Sequence, residues 1–166
     1  MFVAFDTLPA EARVWVYQSD RGFTETEQTE ITKFLSDFLE NWTAHEQTLK
    51  ASAKIICDFF LVIALDESFN VASGCSIDKQ VHCIKQIEQK WNVSLLDNSQ
   101  VAYLSETNEI KFVNFREIKQ AISEGKITPQ TRIFNKNIAT IQDLRNSFVL
   151  PAHQTWLKNY FQTAVV

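Results

Sequence analysis

Glycine, proline and cysteine each occur only three times among 166 residues, and methionine occurs once. The glycine shortage excludes the most. Gly22, Gly74 and Gly125 lie too far apart for G-x-x-x-x-G-K-S/T or G-x-G-x-x-G, the loops whose bare backbone cradles phosphates. Gly125-Lys126 continues as Ile127-Thr128 with no glycine at the needed spacing upstream, so P-loop nucleotide binding is excluded. Cys57, Cys75 and Cys83 form no C-x-x-C pair and leave an odd count, which argues against a structural zinc site and against a disulfide framework. Long apolar runs are missing too. Phe59 to Leu65 spans seven residues, whereas a membrane helix needs about 20. Asp6 and Glu11 break up the start of the chain, which has no basic segment followed by an apolar one. Cytosol is the expected compartment. Basic stripes are absent as well: residues 1–48 hold nine acids against Arg13, Arg21 and Lys33, and the remainder holds thirteen bases against eleven acids. Nothing here matches a phosphate-backbone binder, so nucleic acid is not an expected partner.

What is present is ordinary globular material, 45% hydrophobic and 22% charged. A chain of this length buries about 70% of the surface its unfolded form exposes, which is enough for a proper core. Ala12 to Tyr17 alternates and is rich in β-formers, and reads as a first strand. Thr24-x-x-Glu27 is a capping box that opens a helix with Ile31, Phe34, Leu35, Phe38, Leu39 and Trp42 on one face. Lys54 to Leu65 is too β-branched and aromatic for an easy helix, and Asp58 suggests a turn between two strands, though without the usual glycine. A second helix is expected after Ser76, with Ile77, Val81, Ile84, Ile87 and Trp91 on its apolar stripe. Val93 to Leu96 and Val101 to Leu104 compete to be the next strand. The order β-α-β-β-α-β predicts an α+β, ferredoxin-like split βαβ module over residues 1–105. Residues 106–166 read as a small α/β annex packed on it. Its elements are a strand at Glu109–Val113, a helix capped by Asn114 and Glu117 and stopped by Gly125, a strand at Arg132–Phe134, a short helix at Ile141–Leu144, and a terminal helix carrying Trp156, Leu157, Tyr160 and Phe161.

Two stretches, Leu8-Pro-x-x-x-Arg13-Val-Trp-Val-Tyr-Gln18-Ser and Asp66-Glu-Ser-x-Asn70-x-Ala-Ser-Gly74-Cys75-Ser-Ile-Asp78-Lys, flank Trp42-Thr-Ala-His45. Together they resemble a family of small bacterial proteins of unknown activity, over most of the chain. Some members carry an ABC-transporter-ATPase label, which the absence of a Walker motif contradicts here. The run Phe115 to Phe134 is similar to the helix–turn–strand part of bacterial GYF-like modules, though the aromatic signature expected upstream is missing. That resemblance implies peptide or protein binding.

In a ferredoxin-like fold the loop bearing His45 would lie beside the loop Asp66–Ser76, gathering His45, Asp66, Glu67, Ser73, Cys75 and Asp78 at one sheet edge. With Ser76 as N-cap, Cys75 would sit where free N–H groups and the helix dipole favour a thiolate. His45 could then act as its base, oriented by Asp66 or Glu67. The three nearby carboxylates oppose that activation. Ser73, Gly74, Ser76 and Asp78 could equally form a ligand-binding loop, or the stretch could be plain helix capping around a small thiol. His45, Asp66 and Glu67 could offer three metal donors, but no spacing independent of the fold assumption supports a metal site, and no cofactor is expected. Three functions therefore stand side by side: a non-catalytic binding or assembly module with a protein partner or a second copy, a small thiol-dependent enzyme, and a small-ligand sensor.

Overall fold

Strand β1 (Arg13–Gln18) and helix α1 (Glu25–Glu40) are the first long elements of the computed structural model, which describes residues 1–162. The capping box forms as expected: the Thr24 hydroxyl accepts from the Glu27 amide at 3.2 Å, and the Thr24 amide donates to the Glu27 carboxylate at 2.9 Å. The same carboxylate receives a two-pronged bond from Arg21 at 2.8 and 2.9 Å. Two short strands follow, β2 (Thr43–Ala44) and β3 (Gln47–Thr48), then the hairpin β4 (Ala51–Ile56) and β5 (Phe60–Leu65), and helix α2 (Gly74–Trp91). The β4–β5 turn takes its two positive φ values, 52° and 62°, from Cys57 and Asp58 rather than from glycine. Phe23 N donates to Asp58 O at 2.8 Å and Gln28 Nε2 to Asp58 Oδ1 at 3.0 Å, contacts that offset the strain of that geometry.

The three long strands form an antiparallel sheet in the order β1-β5-β4. On one face Leu61, Ile63 and Leu65 pack in a single core with Ile31, Leu35 and Leu39 of α1 and Ile84 and Ile87 of α2. The other face of β5, Phe60, Val62 and Ala64, is fully buried too, so this strand is apolar throughout rather than alternating.

The α+β class holds, but the four-stranded ferredoxin-like sheet does not form. Neither candidate joins it as a fourth strand. Val93–Leu96 stays irregular because side chains satisfy its backbone: Glu88 accepts from Leu95 N at 2.7 Å and Leu96 N at 2.9 Å, and Asp20 Oδ1 accepts from Ser94 N at 2.9 Å. Residues 101–104 pair in a different sheet. The edge of β1 that a fourth strand would occupy meets Ala139 and Thr140 instead, through Val14 N to Ala139 O at 2.9 Å and a bridge between Arg13 and Thr140. The outer edge of β4 is met by residues 1–3, with Ala51 exchanging bonds with Met1 O and Val3 N.

Residues 1–97 with 139–144 form one unit, and residues 98–138 with 145–162 a second. The second contains β6 (Gln100–Leu104), β7 (Ile110–Asn114), α3 (Ile118–Ser123) and β8 (Arg132–Phe134). Helix α4 (Ile141–Ser147), β9 (Val149–Pro151) and α5 (Lys158–Gln162) complete the chain. The last four residues of the expected annex lie outside the described residues. The second sheet runs β7-β6-β8-β9, and its core is Tyr103, Ile118, Ala121, Ile127, Ile133, Ala152 and Leu157. Asn114 caps a 3-10 turn leading into α3 by accepting from Arg116 N at 3.0 Å, while the Glu117 side chain makes no cap bond. Gly125, at φ 74°, follows the end of α3 as expected. No helix among the described residues is long and apolar enough to cross a membrane.

Candidate functional site

The hairpin carrying His45 and the loop 66–73 are tied together. Asn70 Nδ2 donates to Thr48 O at 2.8 Å, and the buried indole of Trp42 donates to Ser76 O at 2.8 Å. Within that frame each expected residue has its own occupation. His45 and Glu46 form the β2–β3 turn with φ values of 48° and 66°, and His45 is exposed, its ring making no hydrogen bond among the described residues. Asp66 is buried and accepts from both the amide and the hydroxyl of Ser68. It also faces the Lys50 ammonium at 3.3 Å. The Ser68 hydroxyl first, then Lys50, holds the Asp66 carboxyl below its ordinary range against the opposing effect of burial. Glu67 pairs with Arg13 at 3.4 Å, and the Arg13 guanidinium lies 4.5 Å from the Trp15 ring centre. The two acids expected to orient His45 therefore hold other partners.

Helix α2 begins one turn earlier than the sequence suggests, which changes the standing of Cys75. Its N-cap is Ser73, and Ser76 is the third helical residue, closing a reciprocal box: Ser76 N to Ser73 Oγ at 3.2 Å and Ser73 N to Ser76 Oγ at 2.8 Å. Ser76 is buried and satisfied in this way, while Cys75 is exposed as the second residue of the helix. Gly74 is not demanded by packing, since a Cβ there would meet nothing within 4 Å. Asp78 lies further along α2, beside a small apolar hollow of about 370 Å³ lined also by Phe38, His82 and Cys83. Burial pushes the Cys83 thiol up to about 12 and, with the Asp58 carboxylate adding, also raises that of Cys57. Among the described residues no cluster of three His, Cys, Asp or Glu side chains could hold a metal ion.

Two features escaped sequence reasoning. The loop between β5 and α2 exposes two large apolar side chains, Phe69 at 50% and Val71 at 64%. The available signal was their position in a stretch otherwise composed of polar and small residues. In the second unit a cleft of about 900 Å³ runs beside β7 and α3, lined by Tyr103, Lys111, Glu117, Gln120, Glu124 and Lys126 among others. Its residues come from β6, β7, α3 and the turns that flank them, a juxtaposition no local pattern announces.

No protein-family model, no curated protein and no solved structure matches this chain.

Proposed function

We propose that this protein is a non-catalytic, cytosolic binding or assembly module that engages a protein partner through the loop 66–73. The observation that carries this reading is the combination of order and exposure in that loop. Asp66 gathers Ser68 and Lys50, Phe69 N donates to Asp66 O at 3.2 Å, and Asn70 is bonded to Thr48 O. Phe69 and Val71 nevertheless point their apolar surface at solvent. A loop already held in place loses little freedom when a partner covers it, so the apolar area it buries is converted more fully into affinity. The likeness of residues 115–134 to GYF-like modules supports the same class of function. A thiol-dependent reaction has less support, because Cys75 is a free, exposed thiol that no hydrogen bond joins to a base among the described residues.

The test is affinity capture with the full chain and with a Phe69→Ser, Val71→Ser double variant of equal melting temperature. The expected result is a protein retained by the parent chain, lost by the variant, and bound again when purified and mixed with the parent. Identical retention by both chains would overturn the assignment to this loop.

A further inference from the structure

We infer that the cleft between the β6–β7 hairpin and α3 binds a small zwitterion of the α-amino acid class. Lys111 and Tyr103 hold its carboxylate, and Glu117 holds its ammonium. This site shares no residue with the loop 66–73, and either can fail without the other.

Strand register puts the main lining on one face of the hairpin. Tyr103 of β6 stands directly opposite Lys111 of β7, and Val101 opposite Val113. Opposed residues share a face and successive ones alternate, so these four side chains lie on the same side of the two strands. Tyr103 packs in one core with Ile118 and Ala121, so this is the side that α3 covers. Glu117 and Ala121 line the cleft from α3 and the turn before it. The cleft runs the length of the hairpin, from Ser105–Thr107 in the turn to the opposed pair Gln100 and Asn114. A volume of about 900 Å³ lies in the range of small-molecule sites.

Tyr103 is the group that points to a ligand. It is only 8% exposed and borders the cleft, and its hydroxyl makes no hydrogen bond among the described residues. Buried tyrosines ordinarily find a partner for the hydroxyl. The Lys126 ammonium is held above its ordinary range by Glu124 first, with Tyr103 and Glu117 adding. Phenol and carboxylate thus face the same ammonium and the same part of the cleft.

Charge narrows the class of ligand. Lys126 is engaged by Glu124 at 2.8 Å, and Gln120 donates to the same carboxylate at 2.8 Å. Lys111 stands 3.9 Å from Glu109, beyond hydrogen-bond reach, so its donors stay available. Glu117, exposed at the N-cap of α3, makes no side-chain cap bond and no ion pair among the described residues. One cationic donor, one buried phenol and one carboxylate are left uncommitted around a single hollow. Opposed residues have Cβ atoms about 5 Å apart, which lets Lys111 and Tyr103 reach the two oxygens of one carboxylate. The lining holds three acids, Glu106, Glu117 and Glu124, against two lysines, a balance that repels a simple anion. A simple cation would leave the Lys111 and Tyr103 donors unused. An α-amino acid carries both charges in one small molecule.

The experiment is an NMR titration of the isotope-labelled full chain with each common L-amino acid at millimolar concentration. Any that binds is then compared with its N-acetyl and methyl ester derivatives. The expected result is amide shifts at residues 103, 111 and 117–121, lost with either blocked derivative. Tyr103→Phe should weaken binding about tenfold, the size of one hydrogen bond to a charged group. It should leave the melting temperature unchanged, since no described residue bonds that hydroxyl. Glu117→Gln should weaken binding by a similar factor through loss of the ammonium's partner. The inference is overturned if no amino acid moves these residues, if a blocked derivative binds as well as its parent, or if either variant binds like the unaltered chain. Shifts confined to residues 66–73 would likewise sink it, while leaving the loop reading intact.

Discussion

In the first unit the sheet β1-β5-β4 has company on both edges, residues 1–3 along β4 and Ala139–Thr140 along β1, and β5 is buried on both faces. In the second unit the sheet runs β7-β6-β8-β9, and β9 at one end is three residues long and finishes in Pro151. An uncovered strand edge is a template for any other strand, and proteins usually blunt it with short strands, proline, charge or a cover. The first sheet uses covers and the β9 end uses brevity and proline. At the other end of that sheet β7 carries Lys111, a charge of the kind that discourages indiscriminate pairing. The contrast is between edges guarded by covering chain and edges guarded by brevity, proline and charge.

The sharpest way to break the comparison is to damage the burial. Trp42→Ala removes a side chain that is 1% exposed, stacks edge-on to Trp15 at 6.2 Å and bonds Ser76 O. Truncating a buried aromatic of this kind costs about 3–5 kcal/mol, to be read by urea denaturation. Trp42→Phe keeps most of the packing and should lose about 1–2 kcal/mol, the hydrogen bond to Ser76. A smaller effect is expected from uncovering an edge. The Thr140 hydroxyl caps α4 by accepting from Asp143 N at 3.1 Å, so Thr140→Val should cost about 1 kcal/mol. Hydrogen exchange is the more telling readout: the Val14 amide, bonded to Ala139 O, should lose protection ahead of the β4–β5 ladder. Unchanged protection would mean that Ala139 and Thr140 do not depend on that cap.

Charge at the helix start gives a pH-dependent version of the same test. The Arg21 bond first, and the Thr24 amide second, lower the Glu27 carboxyl from an ordinary 4.5 to about 2. A carboxyl depressed on folding stabilises the native state above its unfolded value, and that stabilisation is lost as pH falls from 4.5 toward about 2. Glu27→Gln keeps the capping geometry but not the charge, so stability of parent and variant should converge across that window. The difference at neutral pH should stay within about 1 kcal/mol, because the Arg21 side chain is 41% exposed and solvent screens the pair. The smallest expected change is a gain: Cys57→Gly relieves a left-handed residue in the β4–β5 turn and should add about 0.5 kcal/mol. His45→Ala should leave the alkylation rate of Cys75 unchanged, and Cys83 should react only on unfolding because burial lifts its thiol to about 12.

The elements that could be read in advance are those whose cause is local. The Thr24–Glu27 box, the amphipathic stripe through Ile84 and Ile87, the turn near Asp58 and the stop at Gly125 all satisfy nearby backbone or present one face. The start of α2 was misplaced because Ser73 and Ser76 are both cap-forming residues, and the reciprocal box here uses serine where glutamate or glutamine is usual. The rival strands Val93–Leu96 and Val101–Leu104 look alike as local patterns. Glu88 and Asp20, one seven residues away and the other seventy-four, decided between them. The proposed chemistry at His45, Asp66 and Cys75 presumed roles for side chains whose partners, Ser68, Lys50 and Arg13, only the folded chain brings forward.

Composition and periodicity by themselves determined that this chain builds an α+β fold with a substantial core and no phosphate-cradling glycine loop, since both follow from residue type and short spacing. The tertiary structure alone decided which strand edges are covered, that Phe69 and Val71 face solvent, and that Tyr103, Lys111 and Glu117 border one cleft. Those outcomes depend on which distant backbone groups and side chains find each other first satisfied, and a local pattern carries no record of that competition.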